Sequence, residues 1–147
     1  MRFLLVDRIT HMEKGKRATG IKNVTLSEDF FTFHFPDHPI MPGALIAECL
    51  VQLADWTVRD SEDFASVAVP SAFETIKFHH LVRPGDQLRL EVEVMDKQNG
   101  EYSFRGEARC GDALVTVGRF TMSLRAAEEF HPAAEGRRLF QMIRNPE

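Results

Sequence analysis

Only two of the 147 residues are cysteines, and nothing around either one builds a covalent or metal framework. Cys49 falls in an apolar run and Cys110 in a strand-like one, with no CxxC and no Cys/His spacing of the kind that zinc sites need. Buried, reduced thiols in a cytoplasmic protein are the plain expectation. Long apolar runs are missing near the start as well. Phe3-Leu4-Leu5-Val6 is cut by Asp7 and is too short for a signal peptide or a membrane span. Basic residues are not in excess: 18 Lys and Arg face 22 Asp and Glu, for a net charge of −4. That balance lacks the basic footprint of a general nucleic-acid binder, though it allows a local basic patch. Internal repeats, low-complexity tracts and linkers are absent too. What remains, 44% hydrophobic and 27% charged residues, is the composition of one soluble globular domain with a real core.

The chain has one long helix-like stretch in its first three quarters, predicted from about Pro42 to about Arg59, and it is apolar on most of its circumference. Before it, two short strands are expected between Leu4 and Leu26, around the turn Glu13-Lys14-Gly15-Lys16. After it, Phe64–Phe73 reads as a strand that continues or restarts over Glu74–Leu81. Arg83-Pro84-Gly85-Asp86 is a turn. Gln87–Val94 then alternates at period two, the mark of a half-buried antiparallel strand. Gln98-Asn99-Gly100 signals a hairpin, and Tyr102–Cys110 and Ala113–Leu124 complete a meander. The predicted class is α+β, a curved antiparallel sheet around one long helix. Residues 1–125 make the domain. Residues 126–147 form a charged tail with a short helix near Glu135–Ile143, able to dock Leu139, Phe140 and Ile143.

The chemistry concentrates in His34-Phe35-Pro36-Asp37-His38-Pro39-Ile40-Met41-Pro42-Gly43 and the helix behind it, which carries Glu48. The prolines hold the loop extended or turned, and Pro42 suits the first turn of the helix. A helix N-terminus offers free N–H groups and a favourable dipole to a developing oxyanion, and Gly43 permits close approach. Glu48, Gln52, Asp55 and Arg59 share one stripe at helical spacing, which either faces solvent or lines a cleft. Lining a cleft would let Gln52 hold the Glu48 carboxyl, and burial would raise the Glu48 pKa toward that of a usable acid. His34 can serve as a neutral base at cytoplasmic pH. His38 reads as a loop residue, and His79 and His80 as an exposed strand end. Four phenylalanines, Phe30, Phe31, Phe33 and Phe35, need burial against the core or a partner subunit.

These residues resemble the signature of the FabZ-type 3-hydroxyacyl-[acyl-carrier-protein] dehydratases. The likeness is carried by His34-Phe35-Pro36, Pro39-Ile40-Met41-Pro42-Gly43, Leu45, Glu48 and Gln52. Phe3–Arg8, Gly20–Thr25 and Lys77–Leu88 extend it, and it does not reach the tail beyond Ala126. The resemblance implies a hot-dog fold, dimerised by joining two sheets edge to edge, as a homodimer or a trimer of dimers. It implies that His34 removes the C2 proton of a (3R)-hydroxyacyl thioester. Glu48 of the partner subunit protonates the leaving hydroxyl, and the Gly43 N–H binds the thioester oxygen. Gln52, Phe35, Pro42 and Trp56 complete the implied substrate-binding set. The product is a trans-2-enoyl thioester, and the thioester itself supplies the activation, so neither metal nor organic cofactor is expected. An acyl carrier protein is the implied partner, with Arg2, Lys77, Arg83, Arg137 and Arg138 as candidate docking cations.

The chain also departs from the pattern. Phe33 and Asp37 stand where the family usually has Gly, and Asp55 and the sole tryptophan, Trp56, where it usually has small residues. Trp56 would shorten or reshape an acyl tunnel. These departures leave open a dehydratase of a polyketide or polyene pathway, and a non-catalytic acyl-binding protein of the same fold. An isomerising FabA-type enzyme usually has Asp in place of Glu48. A hot-dog thioesterase fits the His-to-Glu motif less well.

Overall fold

The computed structural model describes residues 3–144. Six strands form one antiparallel sheet in the order β1-β2-β4-β5-β6-β3. β1 (Arg8–Glu13) and β2 (Arg17–Asn23) make the expected first hairpin. The helix α1 (Gly43–Ser61) follows, then β3 (Ser66–Phe78), β4 (Gln87–Gln98), β5 (Glu101–Cys110) and β6 (Ala113–Ala126). Asn99 and Gly100 both take positive φ, 54° and 74°, which suits the tight β4–β5 turn. β3 is one continuous strand: two register shifts against β6 absorb its irregularity.

Alternation along the strands decides which face is buried. Leu88, Leu90 and Val92 of β4, Tyr102, Phe104 and Ala108 of β5, and Phe120 and Met122 of β6 all point into the core. The intervening Arg89, Arg105, Glu107 and Arg109 stand on the other face, where Glu107 pairs with both Arg105 and Arg109. α1 lies across the apolar face and buries Ile46, Cys49, Leu50, Leu53, Ala54 and Val58. Full burial pushes the Cys49 thiol up to about 12, so it stays protonated and inert. Pro42 sits at the N-cap of α1, one place before the first turn where the sequence put it. Its carbonyl accepts the N–H groups of Leu45 and Ile46.

The outer edge of β3 pairs with no strand among the described residues, and Val69, Phe73 and Phe78 on it are exposed. Beyond β6 the chain makes a 3-10 turn and then α2 (Ala133–Ile143), with Pro132 as its N-cap. Phe140 of α2 buries itself between Trp56 and Phe64, at ring-centroid distances of 5.8 and 5.2 Å. Leu139 and Ile143 are partly buried against the same core. No described helix is long and apolar enough to cross a membrane. Replacing Phe140 by Ala should lower the unfolding free energy by about 3 kcal/mol, since a buried ring leaves a cavity that relaxes only in part. Denaturant midpoints of the two proteins measure it; an unchanged midpoint would mean that α2 adds nothing to the fold.

Candidate active site

The loop ahead of α1 is held from both sides. Ile40 N–H donates to the His34 carbonyl at 2.9 Å, and Met41 N–H to the Val82 carbonyl at 2.8 Å. Phe35 and His38 exchange two backbone hydrogen bonds, of 3.0 and 2.9 Å, which closes the turn between them. Asp37 takes φ 63° in that turn, a left-handed conformation that glycine adopts freely and that aspartate tolerates. The His34–Phe35 peptide is cis. Within this frame His34 is partly buried and stacks on Phe35 at 4.0 Å between centroids. His34 Nδ1 lies 2.7 Å from the Ile40 carbonyl oxygen, an acceptor only, so the Nδ1–H donates there. In the neutral ring Nε2 then carries the lone pair.

Glu48 and Gln52 occupy successive turns of α1 and both are partly buried. Gln52 Nε2 donates to Glu48 Oε1 at 3.0 Å and to the Phe3 carbonyl at 3.1 Å. Gln52 Oε1 accepts the Leu5 N–H at 2.9 Å. The amide is thus locked by the N-terminal segment, and it presents its N–H to the Glu48 carboxyl. Glu48 and Gln52 open onto a cavity of about 320 Å³ between α1, the start of β3 and the tail. Of the two readings of the stripe, the one that lines a cleft matches this arrangement. His34 is not part of that cavity, and no hydrogen bond joins it to Glu48 among the described residues.

Gly43 opens α1, and its N–H has no backbone acceptor among the described residues, as first-turn N–H groups of a helix do not. A Cβ at this position would lie 3.0 Å from the ring of Phe78. A side chain there would have to displace the Phe78 ring by a few tenths of an ångström. Of the four clustered phenylalanines, Phe31 is buried and Phe30 partly so, whereas Phe33 is 78% exposed and Phe35 49%. Within one subunit the expected burial holds for only half of the cluster. Phe33, Leu4, Leu5 and Leu45 instead border an apolar cavity of about 300 Å³.

A family profile described as a FabA-like domain matches residues 1–119. The chain belongs to the FabA-like family. It is 48% identical over 116 residues to a protein named 3-hydroxyacyl-[acyl-carrier-protein] dehydratase FabZ from Caldanaerobacter subterraneus subsp. tengcongensis, covering 78% of this chain and 82% of that one. It is 46% identical over 117 residues to the FabZ of Geotalea uraniireducens, covering 78% and 81%. Among solved structures it resembles the dehydratase heterocomplex ApeI:P from Xenorhabdus doucetiae, with TM-score 0.70, 16% identity and 86% of each chain covered. The fluoroacetyl-CoA thioesterase FlK matches with TM-score 0.67 and 14% identity, over 87% of this chain and 97% of that one. At such identities these two structures speak for the hot-dog fold alone.

In this FabA-like chain the candidate cations fall into two groups. Lys77 adjoins Phe78, which touches Gly43, and Arg83 follows Val82, which binds Met41; both mark the N-terminal end of α1. Arg137 pairs with Asp63, past the C-terminal end of the same helix, and Arg138 is its neighbour in α2. The 19 residues of α1 separate the groups by roughly 28 Å at 1.5 Å per residue. Arg2 lies outside the described residues. Trp56 is 6% exposed, packs under Phe140 and the Arg59 guanidinium, and borders a cavity of about 290 Å³ with Gln52 and Asp55.

One polar group has no signal in the motif. Arg59 Nε donates to Asp55 Oδ2 at 2.8 Å, Ala68 N–H donates to Asp55 Oδ1 at 2.7 Å, and Arg59 Nη1 meets His131 Nε2 at 2.8 Å. Burial pushes the Asp55 carboxyl above its ordinary 3.8, while Arg59 and the Ala68 N–H pull it back. Asp55 and Arg59 belong to the helical stripe and were visible as such. His131 comes from the tail, and only the packing of α2 brings it there. A direct check of the packing at the helix start is Gly43→Ala, expected to cost about 1–3 kcal/mol through displacement of Phe78. Combined with Phe78→Ala, the same change should cost clearly less in a double-mutant cycle of denaturant midpoints.

Proposed function

We propose that this chain is a 3-hydroxyacyl-[acyl-carrier-protein] dehydratase of fatty-acid or related acyl-chain synthesis. It takes a (3R)-hydroxyacyl thioester to the trans-2-enoyl thioester and water. His34 Nε2 accepts the C2 proton, and the electron pair of that bond becomes the C2=C3 double bond. The C3–O bond breaks, and the departing hydroxyl takes a proton from Glu48 to leave as water. The Gly43 N–H at the start of α1 holds the negative charge that builds on the thioester oxygen. Gln52 positions the Glu48 carboxyl, while Phe35, Pro42 and Trp56 border the substrate. Residues 1–125 are the catalytic domain, and 126–147 an appended tail. The observation that carries the reading is the His34 tautomer: Nδ1–H is spent on the Ile40 carbonyl, which leaves Nε2 as a base. The relatives named FabZ support the same chemistry.

The active unit is a dimer, alone or as a trimer of dimers, in which His34 of one protomer meets Glu48 of the other. The free, apolar edge of β3 and the lack of any His34–Glu48 contact within one subunit support this. The free thiols Cys49 and Cys110 fit a reducing compartment, the cytoplasm. His34→Ala and Glu48→Gln should each abolish the rise in enoyl-thioester absorbance. Mixed and re-equilibrated, the two inactive proteins should recover roughly a quarter of wild-type activity, because each mixed two-fold dimer holds one intact site. Wild-type protein that binds the acyl carrier but turns nothing over would favour the non-catalytic alternative.

The acidic carrier docks near Lys77 and Arg83, at the end of α1 where Gly43 awaits the thioester, rather than near Arg137 and Arg138. Lys77→Glu with Arg83→Glu should raise KM for carrier-bound substrate about tenfold at low salt, with the gap narrowing as salt rises. A small-thiol thioester of the same acid should show no such change. Equal effects on both substrates would place the docking surface elsewhere.

A further inference from the structure

Arg59 is the member of the α1 stripe that dehydration leaves without a task. It lies eleven residues beyond Glu48, about 16 Å along the helix axis at 1.5 Å per residue. One cavity of about 320 Å³ joins the two, walled by Val51, Val67, Val69 and Phe130. The guanidinium is held firmly there. Its Nε–H is taken by Asp55, its Nη1 faces His131 Nε2, and the Trp56 ring lies 5.0 Å beneath it. His131 Nδ1 lies 3.1 Å from the Pro132 carbonyl oxygen, so Nδ1–H donates there and Nε2 accepts from Arg59. The histidine comes from beyond residue 119, where the family match ends.

A guanidinium has five N–H donors. Asp55 and His131 take two of Arg59's, and the other three have no partner among the described residues. An alkyl chain laid into this cavity would strip water from those donors and return nothing, which is costly. A chain that brings an oxygen replaces the lost hydrogen bonds. Asp55 already balances the Arg59 charge, so a neutral oxygen suits the site better than a second carboxylate.

We propose that Arg59, held by Asp55 and His131, is a specificity-determining residue. It hydrogen-bonds a neutral ketone, hydroxyl or ester oxygen carried toward the far end of a long acyl chain. The substrate class is then an oxygen-bearing 3-hydroxyacyl thioester rather than a plain alkyl one. This rests on the dehydratase reading, and its test separates the two. The protein is assayed with three carrier-protein thioesters: 3-hydroxybutyryl, a long methyl-ended chain, and a chain of equal length with a ketone beside its terminal methyl.

Wild-type kcat/KM should favour the ketone over its methyl-ended match by about ten- to a hundredfold, the worth of a hydrogen bond to a charged donor. Asp55→Asn with Arg59→Met removes both charges together, and the ratio should fall to about one. Should that pair not fold, Arg59→Lys keeps the charge without the planar fork, and the ratio should still drop. A wild-type ratio at or below one, with 3-hydroxybutyryl turned over, overturns this proposal alone, as does a ratio that survives the substitutions. No turnover of any of the three overturns the dehydratase reading and this one with it.

Discussion

The burial of α1 against a single sheet is the constraint on which everything else in this protein depends. A helix apolar over most of its surface has to be covered, and the sheet covers it with Leu88, Leu90, Phe104, Phe120 and Met122. Along the middle of α1 only one narrow face escapes, and Glu48, Gln52 and Asp55 are on it. Glu48, Gln52, Asp55 and Arg59 are together because no other direction was left to them. The same packing points the start of the helix at the loop carrying His34. Phe78 presses so close to Gly43 that a methyl group would not fit between them without movement.

The polar stripe is held by segments far away in the chain. Gln52 is fixed by Phe3 and Leu5, nearly fifty residues earlier, and in turn fixes Glu48. Arg59 is fixed by His131, more than seventy residues later. Side chains held by segments before and after the helix have little freedom left to lose, which is the condition for a preorganised site. The buried Lys22, paired with Glu28 and Asp7, braces the segment between the first hairpin and the His34 loop in a similar way.

Much of this was legible before any fold was known. The two-residue alternation of Gln87–Val94, the Asn99-Gly100 turn and the proline-bounded entry to α1 are local signals, and each element formed where they stood. The stripe was legible too, because helical spacing is a property of sequence alone. Whether β3 continues or restarts after Phe73 was not legible, since a strand's bulges depend on its partner, and β6 absorbs them. Hydrophobicity says that Phe33 and Phe35 need covering, by the core or by a partner subunit; within one subunit they stay exposed. Asp37, a departure from the expected Gly, is explained by a backbone angle that aspartate can also adopt.

By itself the sequence determined which atoms are available for chemistry: an imidazole in a stiff loop, a carboxyl on an otherwise apolar helix, and a glycine between them. Those follow from residue type and from distances of a few residues, where covalent geometry leaves little choice. Tertiary structure decided what each of them faces. It set the His34 tautomer through the Ile40 carbonyl and gave Glu48 its amide partner. It placed Lys77 and Arg83 at the helix end opposite Arg137 and Arg138, and it carried His131 to Arg59. The Arg59–His131 contact joins residues with no local relation, and it exists only because burying α1 brings distant segments to its exposed face.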